Sequence, residues 1–154
     1  ADIATPKTHQ SGGITFDYPK NWKITDEMIT PAIHHTTLET PGDAIVFIQA
    51  YPITDAGDLT TYAKEFSESA AVEIPMIKME QLSFTNLPVA GGYEGIKEEF
   101  NMNMLGESIP HRRLYASKVM NNRRAFLILQ VAIEDYEKVE AGFELIRDSL
   151  RKRE

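Results

Sequence analysis

Four histidines are the first places to look for chemistry in this chain: His9, His34, His35 and His111. Imidazole is a common zinc ligand, but a site needs three or four donors converging on one point. His34 and His35 are adjacent in a stretch that reads as a strand, so their side chains point to opposite faces and do not chelate one ion together. A metal site would need one of them to meet His111 or a carboxylate across the sheet. Glu94, Glu98 and Glu99 form an acidic group on another predicted strand. Paired carboxylates do acid–base work only in a sheltered cleft that splits their pKa values. Opposite them on the returning strand stand His111, Arg112 and Arg113, so cross-strand ion pairing is the simpler expectation.

Positive charge gathers on the last hairpin, at Arg112, Arg113, Lys118, Arg123 and Arg124. Such a patch could receive an anionic ligand or an acidic partner. Gly91-Gly92-Tyr93-Glu94-Gly95 lacks the Lys-Ser/Thr and the strand-to-helix context of a phosphate loop. No Gly-x-Ser-x-Gly elbow surrounds any serine. No catalytic residue is assigned. The remaining candidate is apolar: Met102, Met104 and Leu105 fall near a predicted hairpin tip, where turn residues are usually polar. With His111, Arg112 and Arg113 they form the expected contact surface for a protein partner, since Met and Arg are enriched at interface cores.

The elements that must position these groups follow from periodicity. Ile14, Phe16 and Tyr18 alternate with polar residues, and Pro19 ends that strand. Trp22 and Ile24 continue the alternation. Ile33 to Glu39 reads as a strand, Pro41-Gly42 as a turn, and Ala44 to Tyr51 as a strand covered on both faces. The period then changes. Asp58 is an expected N-cap, and Leu59, Tyr62, Ala63, Phe66 and Ala70 build one apolar helix face that ends at Glu73 to Pro75. Strands are expected over Ile77 to Thr85 and Tyr93 to Met104. Leu105 to Ile109 reads as a turn, held by Gly106 and Pro110. Arg112 to Met120 and Arg123 to Ile133 are strands joined by Asn121-Asn122. Asp135 is the expected cap of a closing helix. Its stripe, Tyr136, Val139, Phe143, Ile146 and Leu150, advances by 3, 4, 3 and 4 residues. Short connections predict antiparallel pairing, hence an α+β class with one antiparallel β-sheet flanked by two helices, an α/β/α sandwich.

The chain has 154 residues, 42% hydrophobic and 25% charged, which fits one globular domain. Sixteen basic and 23 acidic residues leave a net charge of −7. An acidic chain repels phosphate backbones, so nucleic acid is not an expected partner. No apolar run reaches the length of a membrane span. The absence of cysteine excludes disulfides and thiolate chemistry and leaves the compartment open. Residues 1–12, beginning with Ala1, largely polar and without periodicity, read as a flexible leader, with the domain over 13–151.

Phe16, Tyr18, Pro19 and Trp22 at one end, and Phe126, Leu127, Phe143, Ile146 and Leu150 at the other, resemble the PsbP-like group, which takes in Mog-like proteins and small exported proteins of the DcrB type. The resemblance implies the same layered α+β fold and a non-catalytic accessory role in binding an unidentified protein. A second copy of the chain, as a homodimer, is one such partner. It implies an exported, periplasmic setting, with the cytoplasm as the alternative. No cofactor and no metal requirement is expected. The rival reading is a small-ligand or metal-binding protein using sheet-edge His34, His35 or His111 with the arginines.

Overall fold

The computed structural model describes residues 1–72, 77–120 and 122–152. A seven-stranded antiparallel sheet carries the architecture. Its strands are β3 (Lys23–Ile29), β4 (His34–Glu39), β5 (Ile45–Pro52), β6 (Lys78–Asn86), β7 (Glu94–Met104), β8 (Glu107–Met120) and β9 (Arg123–Ala132). They lie in the order β3-β4-β5-β9-β8-β7-β6. The chain therefore leaves the middle of the sheet after β5, crosses one face through helix α1 (Leu59–Val72), enters again at the far edge as β6, and folds inward until β9 closes against β5. A smaller sheet, β1 (Lys7–Ser11), β2 (Ile14–Tyr18) and β10 (Arg151–Lys152), is ordered β1-β2-β10. Helix α2 (Tyr136–Ser149) follows β9 after one short helical turn at Ile133–Asp135.

Two cores lie on opposite faces of the large sheet. Leu59 and Ala63 of α1 pack on Ile96, Tyr115, Phe126 and Ile128. Val139, Phe143 and Ile146 of α2 share the other core with Phe16, Trp22, Leu38, Leu127 and Leu129. β9 feeds both cores by alternation, which is why its sequence is apolar at every position from Ala125 to Leu129. The expected α+β class, with one helix per face, is the observed one. Among the described residues no helix is long and apolar enough to cross a membrane.

The ends of the chain meet. Gly142 lies under the Trp22 ring, so close that a Cβ placed there would stand 2.5 Å from the ring carbons Cη2 and Cζ2 and 2.8 Å from Pro19 Cγ. Ser149 Oγ accepts from the Asp17 N–H at 2.8 Å. The Tyr18-Pro19-x-x-Trp22 element is thus the seat of the closing helix.

Several expectations are corrected. Residues 1–12 are not all leader, because Lys7–Ser11 forms β1 and pairs with β2 from Lys7↔Tyr18 to Ser11↔Ile14. Trp22 precedes a longer strand than its alternation implied, running to Ile29. The β7–β8 connection is not a five-residue loop. Met104 pairs with Glu107, so only Leu105 and Gly106 turn the chain and Pro110 sits within β8. Asp135 holds the N-cap position of α2 without a side-chain cap bond and binds Lys138 instead at 2.9 Å. Asp58 does cap α1, accepting from the Thr61 N–H at 2.7 Å. The expected helix end at Glu73 to Pro75 lies outside the described residues. Asn121 does too, but Met120 opposes Arg123 across that turn.

Candidate functional site

The groups with chemical potential gather around α1, and its register explains how. Tyr62 and Phe66 point down from the helix onto the sheet. Thr61, Glu65 and Ser69 border a groove on one flank, while Lys64, Ser67, Glu68 and Ala71 border a second cleft on the other.

The second cleft, about 330 Å³, has Glu98 and Arg113 in its wall. They oppose each other on β7 and β8, joined by a bond from Arg113 Nη1 to Glu98 Oε1 of 2.7 Å, with both side chains 1% exposed. Tyr115 donates its hydroxyl to the same oxygen at 2.8 Å. Ser67 and Gln81 donate to Oε2. The guanidinium lies over the Phe100 ring at 4.5 Å and binds Gln130 Oε1 through Nε and Nη2. Burial alone would raise the Glu98 pKa, but the Ser67 hydroxyl, the Arg113 charge, Tyr115 and Gln81 together hold it below the ordinary value. Burial drives the Tyr115 hydroxyl upward. A carboxylate held ionised, with four donors on its two oxygens, is not available for proton transfer. It ties α1, β6, β7 and β8 together.

The first groove is open to solvent, has a volume of about 480 Å³ and is lined by aromatic rings. Tyr62 stacks on Phe126 with centroids 3.9 Å apart at 9°, while Tyr51 meets both rings edge-on at 6.4 and 6.0 Å. Gln49 organises the tyrosines: its Oε1 accepts from Tyr51 at 3.3 Å and from Tyr62, and its Nε2 donates to His35 Nδ1 at 3.0 Å. That bond fixes His35 with its proton on Nε2, which lies 2.9 Å from Thr37 Oγ1. Burial raises the pKa of both tyrosines, so the phenols stay neutral.

The residues singled out in the sequence are dispersed. Arg113 is fully buried and cannot meet a protein partner, which corrects its place in the expected contact surface. Arg112, one position earlier in the strand, points to the opposite face, where it binds Glu99 at 3.1 Å and lies over Tyr136 at 4.7 Å. Lys118 reaches the Leu150 carbonyl at 3.3 Å, and Arg124 reaches Ser117 Oγ at 3.5 Å. Arg112, Arg113, Lys118 and Arg124 are therefore divided between two faces and tied internally. His111 stacks on Phe100 at 5.6 Å, and its Nδ1 donates to the Ile109 carbonyl. His34 is buried at the β1–β2 turn beside Gly12, and His9 pairs with Glu27. Among the described residues no three His, Asp or Glu side chains are grouped to hold a metal. Met102 is half-buried opposite Ile109, whereas Met104 and Leu105 are 40% and 89% exposed.

Sequence reasoning missed Gln49, Tyr51, Asp55 and Glu65 as a group. It placed Tyr62 and Phe66 on an apolar helix face, and the one signal it had was that these two of the five residues on that face are aromatic. In the fold both are only half-buried, with their rings turned to the groove.

No family model matches the chain, and no curated protein matches it significantly in sequence. Solved structures do. The cyanobacterial PsbP (CyanoP) of Synechocystis sp. PCC 6803 superposes with a TM-score of 0.63 at 15% identity, covering 99% of this chain and 95% of that one. The Ran-binding protein Mog1p of Saccharomyces cerevisiae gives 0.53 at 10% identity, covering 96% of this chain and 95% of that one. The fold of this chain is that of the PsbP/Mog-like group, as the Tyr18-Pro19-x-x-Trp22 element and the closing helix suggest.

Proposed function

We propose that this chain is a non-catalytic accessory domain that binds another protein through the tip of the β7–β8 hairpin. The observation that carries the reading is Leu105. It holds φ at 50° with Gly106 at 80°, a two-residue turn with both φ values positive. Asn and Gly suit that conformation, and a γ-branched apolar residue resists it at a cost on the order of 1 kcal/mol. Leu105 is 89% exposed, so the fold gains almost no burial in exchange. A strained, protruding apolar residue is a reason to look for an intermolecular role. Met104 beside it widens the apolar tip, half-buried Met102 and His111 follow on the same face of the hairpin, and Arg112 lies on the opposite face with Glu99.

The reading is tested with Leu105→Asn. The variant should keep or raise the melting temperature, because Asn relieves the strained turn, while losing the partner retained by the unaltered domain in affinity capture. Sedimentation of both proteins checks whether that partner is a second copy. Retention of the same partner by Leu105→Asn, with unchanged self-association, removes the proposal. The exported setting belongs to the same reading and is tested by fractionating cells that make the full-length protein. The rival, a ligand site built on His34, His35 and His111, has less support, because the three are held apart by separate partners.

A further inference from the structure

We propose that the groove between α1 and β5 binds a small soluble quaternary ammonium compound. Its walls are the rings of Tyr51, Tyr62 and Phe66, with Phe126 buried behind Tyr62, and its rim carries the carboxylates of Asp55 and Glu65. Among the described residues no Lys, Arg or His lines it. Neither rim carboxylate makes a salt bridge among the described residues.

Three features select this ligand class. Aromatic faces attract a cation through the ring quadrupole, and several rings around one site form the cage that suits alkylammonium groups. Two carboxylates at the mouth add a negative field that a neutral or anionic ligand would not use. The amide acceptor inside is spent: Gln49 Oε1 takes both phenol protons. A primary ammonium would turn its three N–H donors to the rim carboxylates and hydroxyls and away from the rings. A quaternary ammonium has no N–H to satisfy. The volume of about 480 Å³ lies within the range of small-molecule sites. The rim of Asp55, Gly57, Thr61, Glu65 and Ser69 is polar and acidic, so the groove fits a free solute better than the headgroup of an anionic membrane surface.

The rings of the groove are braced by their neighbours. Tyr62 is fixed between Phe126 and Gln49, and Phe66 meets Phe47 at 5.7 Å and Tyr115 at 6.0 Å. Little ordering should accompany binding, which favours affinity.

Calorimetric titration of the whole chain with choline chloride, against sodium chloride at equal ionic strength, is the test. The comparison ligand is the uncharged isostere of choline in which carbon replaces nitrogen. Choline should bind saturably and about tenfold more tightly than the isostere. Asp55→Asn with Glu65→Gln, both at exposed positions, should weaken choline several-fold and leave the isostere unchanged, with the melting temperature intact. Tyr51→Leu should remove most of the preference for the charged ligand. Equal binding of choline and its isostere overturns the proposal, as does the absence of saturable choline binding. The hairpin variant Leu105→Asn should bind choline normally, so this result and that of partner binding fail or succeed separately.

Discussion

Glu98 and Arg113 face each other across β7 and β8 at 2.7 Å, and neither side chain reaches solvent. Such a pair stabilises a fold only if its remaining hydrogen-bonding capacity is met, because removing two charges from water costs several kcal/mol per ion. Here Tyr115, Ser67, Gln81 and Gln130 meet it.

Arg113→Met should therefore destabilise the chain by about 3–5 kcal/mol, since it leaves Glu98 buried without its cation. Adding Glu98→Gln to that variant should recover a large part of the loss. Urea unfolding of the two singles and the double measures the coupling. Strict additivity of the two single effects would mean that the pair contributes through packing and not through charge.

The same pair sets an acid limb. The folded-state pKa of Glu98 lies below its ordinary 4.5. Its stabilising contribution is therefore complete above that value and lost as pH falls through the folded one. Glu98→Gln should flatten the fall in melting temperature below pH about 4.5. An acid limb identical to that of the unaltered chain would place the sensitive carboxylate elsewhere.

His34 acts at higher pH. Burial, with the Arg123 charge adding to it, lowers its pKa from 6.5, against a smaller opposite effect of the Gly12 backbone. The unfolded chain then takes up the proton first, so folding loses stability as pH drops below 6.5 towards the folded value. The difference in stability between the unaltered chain and His34→Gln should bend near that pH. Parallel curves between pH about 7 and 5 would show that His34 titrates freely.

Gly142→Ala reverses the usual sign of a helix substitution. Replacing Gly by Ala within a helix ordinarily stabilises by about 1 kcal/mol. At Gly142 the added methyl meets the Trp22 ring at 2.5 Å, and overpacking of this kind costs about 1–3 kcal/mol. Thermal denaturation should show a net loss, and Trp22 emission, expected at short wavelength because the ring is 1% exposed, should move to the red as the ring is displaced. A gain in melting temperature would mean that α2 slides to make room.

Phe143→Ala tests the closing helix itself. Phe143 is 5% exposed in the core shared by α2, Trp22 and β9, so truncation should cost about 3–5 kcal/mol. An unchanged denaturation midpoint would mean that α2 is not needed for the fold.

Periodicity alone makes most of the elements legible. The α2 stripe of Val139, Phe143, Ile146 and Leu150 and the doubly covered β9 follow from spacing, because a side chain's face is set by its own strand or helix. The same local logic pairs Glu98 and Glu99 with the arginines opposite, but its inclusion of Glu94 is corrected by the register, which sets Glu94 against Ser117. It does not tell that Arg113 is sealed beneath Phe66 while Arg112 lies on the far side with Tyr136, since that depends on where each helix crosses. Nor does it join Gln49 and Tyr51 to Tyr62 and Phe126. Those residues meet only because β9 returns to lie beside β5, with α1 packed over that face. Local sequence dictates which way a residue points. What it points at is decided by strand order and helix packing, which rest on contacts between distant parts of the chain.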